Sequence, residues 1–318
     1  MQRVQNIIVR AGPYAYIVPK GSYRRGIKVV NSFVDHFVSQ VLAMPPAELA
    51  SEAKNSQQQQ TFLHAIANFT RDPSAIRDQL VNILLAGRDT TAGTLSFLFH
   101  ELSRHPRIVG KLRREILERI GPDRCPTYED IKAFRYLTHV LNETLRLYPA
   151  VPANVRMSLK DTTLPRGGGP DGSLPLGIRK DTPIVYGTLY MQRSPAHYPP
   201  VSATFPDIRE FVPERWEHWT PKPWTYIPFN GGPRICIGQQ FALTQMGYTI
   251  IRILQRFGEV SRYDGVGVGG GVGGVAKGDD GIRMKCEVVM SPADGVPVGF
   301  WDADRSGGSR ARKEGTEV

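Results

Sequence analysis

The sequence predicts a mainly α-helical protein with small β-sheets, and three observations carry that prediction. A run of about thirty residues from Asp72-Pro73 to Arg104 holds a helical pattern and ends at His105-Pro106. Four further stretches repeat apolar residues at helical spacing. After Pro152, by contrast, short β-rich segments are cut by Pro165, Gly167 to Gly169 and Gly177, as in small hairpins.

Taken in order, residues 1–20 contain Pro13 and Pro19 and predict no firm element. From Tyr23 to about Leu42, Val29, Val30, Phe33, Phe37, Val38 and Val41 recur as on a helix, which Met44-Pro-Pro46 ends. Residues 51–60, with Gln57 to Gln60, read as a polar surface connection, and Thr61 to Asn68 as a short helix. Asp72 then caps the long helix and Pro73 sits at its first position. At 1.5 Å per residue some thirty residues extend roughly 45 Å, enough to cross a domain. The run is apolar on most sides, so burial is expected. Its middle, Ala86-Gly-Arg-Asp-Thr-Thr-Ala-Gly93, is poor helix material. Two readings stand there: a close helix crossing permitted by the glycines, or a local widening where a ligand approaches.

Ile108 to Ile120 is an amphipathic helix closed by Gly121-Pro122, and Thr127-Tyr-Glu-Asp130 starts a short helix with a capping-box pattern. Tyr136 to Leu147 is the next helix. Within it Glu143 and Arg146 stand at i and i+3; read from spacing alone they are an exposed pair worth a few tenths of a kcal/mol. Residues 191–228 are rich in proline and aromatics and read as a meandering loop. Gln240 to Phe257 is a helix expected to bury Phe241, Leu243, Met246, Ile250, Ile251 and Leu254. The Gly-Val run 265–274 reads as a flexible insertion, Ile282 to Met290 as a strand, and the tail 304–318 as disordered.

Composition narrows the class without naming a function. The 318 residues are 41% apolar and 22% charged, an ordinary globular balance. The net charge of +10 is spread along the chain with no nucleic-acid motif, so an oligonucleotide partner is not expected. Cys125, Cys236 and Cys286 are odd in number and lack CxxC spacing, which suggests neither a disulfide framework nor a zinc site and fits a reducing compartment. The apolar runs, at the N-terminus and at Val81 to Ala86, are too short for a signal peptide or membrane anchor.

The most informative stretch is Phe229-Asn-Gly-Gly-Pro-Arg-Ile-Cys-Ile-Gly238. Gly231, Gly232 and Pro233 forbid a regular element before the thiol, and a helical pattern follows from Gln239. Cys236 thus lies just ahead of a helix N-terminus, where unpaired amides and the positive dipole end favour a thiolate, with Arg234 nearby. Position alone leaves three readings for it: a structural thiol, a nucleophile or a metal ligand.

This stretch, Phe-x-x-Gly-x-Arg-x-Cys-x-Gly, resembles the haem-binding loop of the cytochrome P-450 family. The resemblance implies haem b with Cys236 as axial thiolate ligand of iron, Phe229 packed near the sulfur, Gly232 and Gly238 shaping the loop, and Arg234 pairing with a haem propionate. It implies Arg156 as a second propionate partner. The middle of the long helix resembles the family's oxygen-binding groove, with Asp89 and Thr90 delivering protons for O2 cleavage and Arg88 facing away from the haem. Glu143-x-x-Arg146 resembles the family's ExxR motif, and would join Arg215 of Phe211-Val-Pro-Glu-Arg-Trp216 in a buried structural charge triad.

The match runs from about residue 22 to 290. Gly87-Arg-Asp-Thr-Thr91, Trp219-Thr-Pro-Lys-Pro-Trp224 and Gly238-Gln-Gln-Phe-Ala-Leu243 look like the fungal alkane and fatty-acid hydroxylating branch. The implied fold is the C-terminal part of the P-450 fold over 1–303, its long central helix crossing a haem site. The early helices, first large strands and membrane anchor of the family fold are absent, as in a truncated chain. The implied activity is a haem-thiolate monooxygenase that inserts one oxygen atom of O2 into an apolar substrate. Its electrons would come from NADPH through a reductase partner, at the cytosolic face of the endoplasmic reticulum membrane. The alternative is a non-catalytic fragment that at most binds haem or a partner protein.

Overall fold

A computed structural model describes residues 21–54, 61–202, 205–263, 276–277 and 282–302. The expectations for residues 1–20, for the polar stretch from 55 to 60, for the Gly-Val run 265–274 and for the tail 304–318 lie outside the described residues. The chain divides into two compact units, residues 1–89 and 90–318.

The first unit holds α1 (Gly21–Ala43), α2 (Pro46–Lys54), α3 (Phe62–Phe69) and the opening turns of the long helix α4 (Pro73–Arg104). Val34, Val38 and Val41 of α1 bury against Leu49, Ala67 and Ile76, one residue cluster drawn from all four helices. Thr61 caps α3, its hydroxyl accepting from the His64 amide at 3.3 Å. Asp72 caps α4 through the Ser74 amide at 2.9 Å. Arg71 donates to the carbonyls of Leu42 (2.5 Å) and Met44 (3.1 Å), satisfying oxygens that the end of α1 leaves without helical partners.

The second unit continues α4 and adds α5 (Pro106–Ile120), α6 (Tyr128–Ala133), α7 (Arg135–Leu147), α8 (Thr188–Gln192), α9 (Arg215–His218) and α10 (Gln239–Arg256). Its core joins Phe97, Leu98 and Leu102 of α4 to Leu112 and Ile116 of α5, Val140 and Leu141 of α7, and Met246, Ile250, Ile251 and Leu254 of α10. Local signals fix the boundaries. Gly121 takes φ 72° and stops α5 while its amide bonds the Leu117 carbonyl. Thr127 and Asp130 close the capping box reciprocally, at 3.2 and 2.7 Å.

Antiparallel pairs make up the β structure: β1 (Asn154–Met157) with β4 (Pro183–Tyr186), β2 (Thr162–Gly168) with β3 (Leu174–Ile178), and β5 (Phe257–Arg262) with β9 (Val298–Asp302). A fourth small sheet orders β6 (Ala276–Lys277), β7 (Arg283–Cys286) and β8 (Met290–Pro292). In the first pair Arg156 lies opposite Ile184 and Asn154 opposite Tyr186.

Several expectations are corrected here. Ile282 to Met290 is not one strand, because residues 287–289 turn and pair β7 with β8. The stretch 191–228 holds the end of α8, a 3-10 turn at Pro195–His197 and α9. Phe241 is exposed rather than buried, and Ile83, Leu84 and Leu85 are exposed on a helix expected to be buried. Apolar type was read as burial at those positions, but burial depends on what packs alongside. At Gly93 the close approach is to a strand and not the helix crossing expected: a Cβ there would lie 2.7 Å from the Met290 carbonyl oxygen at the start of β8, while among the described residues nothing lies within 4 Å of a Cβ at Gly87.

Candidate active site

The sequence around Cys236 forces an irregular loop, and the structure supplies its ties. Asn230 and Gly232 take φ 66° and 65°, left-handed values that asparagine and glycine tolerate. A 3-10 turn at Gly232–Arg234 follows, then Cys236, whose amide donates back to the Phe229 carbonyl at 2.9 Å. That bond closes the loop so that Phe229 and Cys236 are held together, while α10 begins three residues after the cysteine. Gly238 is the N-cap of α10, and a Cβ there would sit 3.9 Å from the Cys236 sulfur. The thiol is exposed, flanked in the chain by the exposed apolar side chains of Ile235, Ile237 and Phe241. Arg234 is exposed as well.

Arg156 stands on β1 with its guanidinium 5.3 Å from the centre of the Tyr186 ring, a cation over an aromatic face. The Tyr186 hydroxyl in turn donates to Asn230 Oδ1 at 2.9 Å. The hairpin that bears Arg156 is therefore tied to the cysteine loop through one side chain. No motif marked Tyr186 or Asn230; only the fold brings them together.

On α4, Asp89 is partly exposed and its carboxylate Oδ1 accepts from Arg88 Nε at 2.7 Å. Arg88 points largely into solvent, and the carboxylate beside it raises the guanidinium's already high pKa. The Thr90 carbonyl accepts from the Thr94 hydroxyl at 2.9 Å. Thr91 is buried with a hydroxyl that has no partner.

Glu143, Arg146 and Arg215 come together in the interior, each side chain fully buried. The Glu143 carboxylate accepts from Arg146 Nε (2.8 Å) and Nη2 (2.9 Å), Arg215 Nε (2.8 Å), the Val212 amide (3.0 Å) and Trp216 Nε1 (3.0 Å). The rest of both guanidinium groups reaches backbone carbonyls: Arg146 that of Ile208 at 2.7 Å, Arg215 that of Asp207 at 2.8 Å. Burial works against the ionised carboxylate, but Arg146, Arg215 and the Val212 amide outweigh it and hold Glu143 below the usual carboxylate range. The exposed-pair reading of Glu143 and Arg146 is thus wrong by burial. Gln192 completes the joint, its amide donating to the carbonyls of Leu145 (2.9 Å) and Arg146 (3.2 Å) and its oxygen accepting from Ile227 N (3.1 Å).

The donor set decides what Cys236 can hold. Among the described residues no group of three His, Cys, Asp or Glu side chains could bind a metal by itself. A haem supplies four nitrogens in a flat apolar disc, which suits a lone exposed thiol beside uncovered isoleucine and phenylalanine side chains. The residues present fit haem.

A sequence profile of the family described as Cytochrome P450 matches residues 13–262. The chain is 48% identical over 300 residues to "Cytochrome P450 monooxygenase pvhE" of Talaromyces variabilis, an alignment that takes in 94% of this chain and 53% of that protein. It is 45% identical over 256 residues to "Cytochrome P450 52A13" of Debaryomyces hansenii, covering 79% and 48% of the two chains. Against "Cytochrome P450 52A1" of Candida tropicalis it is 46% identical over 254 residues, covering 78% and 45%. The chain spans about half the length of these relatives.

Proposed function

Since the chain belongs to the cytochrome P450 family, we propose that it forms the haem-thiolate part of a monooxygenase that inserts one oxygen atom of O2 into a C–H bond of an apolar substrate. The proposed reaction is hydroxylation of an n-alkane or fatty acid, the class implied by the resemblance of Gly87 to Thr91 and Gly238 to Leu243 to that fungal branch. Electrons come from NADPH through a reductase, and the proposed location is the endoplasmic reticulum membrane. Among the described residues no helix is long and apolar enough to cross a membrane.

Haem, held through Cys236, would supply O2 activation, and a thiolate ligand would favour O–O cleavage. The chain's own residues do the rest. The Phe229 carbonyl holds the Cys236 backbone. Arg234 and Arg156 take the two propionates, with Arg156 seated on the Tyr186 ring. Cleavage of O2 consumes two protons, and Asp89 passes them from solvent to the Thr90 hydroxyl, with its partly exposed carboxylate as the entry point.

One observation carries the proposal: Cys236 stands on a Gly-Pro loop closed by its amide bond to the Phe229 carbonyl, just ahead of α10, in a chain whose residues 13–262 match the Cytochrome P450 family. The test is turnover of long-chain alkanes and fatty acids by the purified chain with NADPH and reductase. Hydroxylated product that vanishes in Cys236→Ala supports the proposal. Product formed equally by that variant refutes it.

A further inference from the structure

We propose that Tyr186 is a two-sided positioning residue, its ring seating Arg156 and its hydroxyl clasping the cysteine loop through Asn230. The inference rests on the haem-thiolate reading of Cys236 and assigns residues that no motif marks. Two donors converge on Asn230 Oδ1, the Tyr186 hydroxyl at 2.9 Å and the Gly231 amide at 3.1 Å. Two donors on one atom fix the orientation of the side-chain amide. Asn230 itself stands at φ 66°, and its amide donates to the Ile227 carbonyl at 2.9 Å. It immediately follows Phe229, whose carbonyl holds the Cys236 amide at 2.9 Å. A restraint on Asn230 is thus passed in one residue to the bond that orients the cysteine.

The other side of Tyr186 faces Arg156, 5.3 Å from the ring centre. Tyr186 lies on β4, paired in register with Asn154 of the strand that carries Arg156. The chain β1, Arg156, Tyr186, Asn230, cysteine loop therefore sets the spacing between one propionate partner and the axial thiolate. An arginine on a loose hairpin would find its propionate only part of the time; one fixed to the same tyrosine as the thiolate loop is pre-organised. The clasp is also short enough to act without the haem, which makes it testable in the haem-free chain.

Three variants separate the parts. Tyr186→Phe keeps the ring and removes the hydroxyl. Tyr186→Leu removes both. Asn230→Gly removes the acceptor and still accepts the left-handed backbone. Hydrogen exchange at the Gly231 and Cys236 amides of the haem-free chain reads the clasp: one hydrogen bond predicts exchange about fivefold faster at both amides in Tyr186→Phe and at the Cys236 amide in Asn230→Gly, whose Gly231 amide also loses its own acceptor and exchanges faster still. At the Cys236 amide the double variant should be no faster than either single one, because both delete the clasp, and at the Gly231 amide it should be no faster than Asn230→Gly, which also removes that amide's own acceptor. In the haem-loaded chain Tyr186→Phe should speed haem loss by a similar factor and lower the share of the thiolate-type Soret band with carbon monoxide, and Tyr186→Leu should exceed it. Wild-type exchange rates in Tyr186→Phe overturn the clasp whatever the haem result. Faster exchange with unchanged haem loss and spectrum overturns the positioning role. A wild-type chain that takes up haem without any thiolate-type band overturns the reading of Cys236, while the exchange data still judge the clasp.

Discussion

Replacing Glu143 by glutamine keeps the shape of the side chain and removes the carboxylate that bonds two buried guanidinium ions. In the native protein one carboxylate accepts from Arg146, Arg215, the Val212 amide and the Trp216 indole, all out of water. The amide of a glutamine offers one acceptor oxygen, and its NH2 would face donors. Two buried cations would then lose the carboxylate that bonds both of them, keeping the backbone carbonyls and the Tyr198 and Phe205 rings. Breaking a buried ion pair in this way costs about 3–5 kcal/mol, a fifth or more of the roughly 5–15 kcal/mol that holds a domain folded. The exposed pair between Arg124 and Asp130 is the control, with bonds just as short at 2.7 and 2.9 Å but an arginine 48% exposed. Arg124→Gln should cost about 1 kcal/mol or less.

Urea unfolding followed by tryptophan fluorescence reads both variants, because Trp216 bonds Glu143 and packs on Trp219 at 5.2 Å between ring centres. The pH dependence adds a second check. Glu143 is held below its ordinary value when folded, so its contribution is complete above the unfolded value, about 4.3, and is lost as pH falls through the folded one. Glu143→Gln should lack that acid-sensitive part. Equal destabilisation by Glu143→Gln and Arg124→Gln would refute the reasoning.

Three other outcomes follow from the same structure. Gly93→Ala places a methyl 2.7 Å from the Met290 carbonyl oxygen and should cost about 1–3 kcal/mol, seen as a lower melting midpoint; an unchanged midpoint would mean the approach is not tight. His139 is buried with Nδ1 unpartnered, and burial, then Arg135, depress its pKa, so the unfolded chain binds its proton first. Stability should therefore fall as pH drops below about 6.5, and His139→Leu should remove that slope; a variant with the same slope would shift the cause elsewhere. Asp89→Asn should lower kcat about a hundredfold if its carboxylate carries the protons, and a change under twofold would remove it from the path.

What was legible in the sequence is mostly local. Asp72-Pro73, His105-Pro106 and the Thr127–Asp130 box act within one turn, and the helices begin and end where those residues stand. The cysteine loop was legible too, since glycine and proline restrict the chain whatever surrounds it. Burial was not. Glu143 and Arg146 look like a surface pair until the carbonyls of Ile208 and Glu210 and the side chain of Arg215, over sixty residues away, close around them. Phe241 and Ile83 to Leu85 failed in the opposite direction, as apolar residues that stay exposed. Tyr186 meeting Asn230 across 44 positions leaves no trace in either neighbourhood.

The account turns on whether one sulfur holds iron. The reduced carbon monoxide difference spectrum of the chain loaded with haem, beside that of Cys236→Ala, tests this directly. The native chain should give the red-shifted thiolate-type Soret band and the variant should lose it. Haem held in both with the same band, or with a nitrogen-ligated band in the native chain, would contradict the assignment.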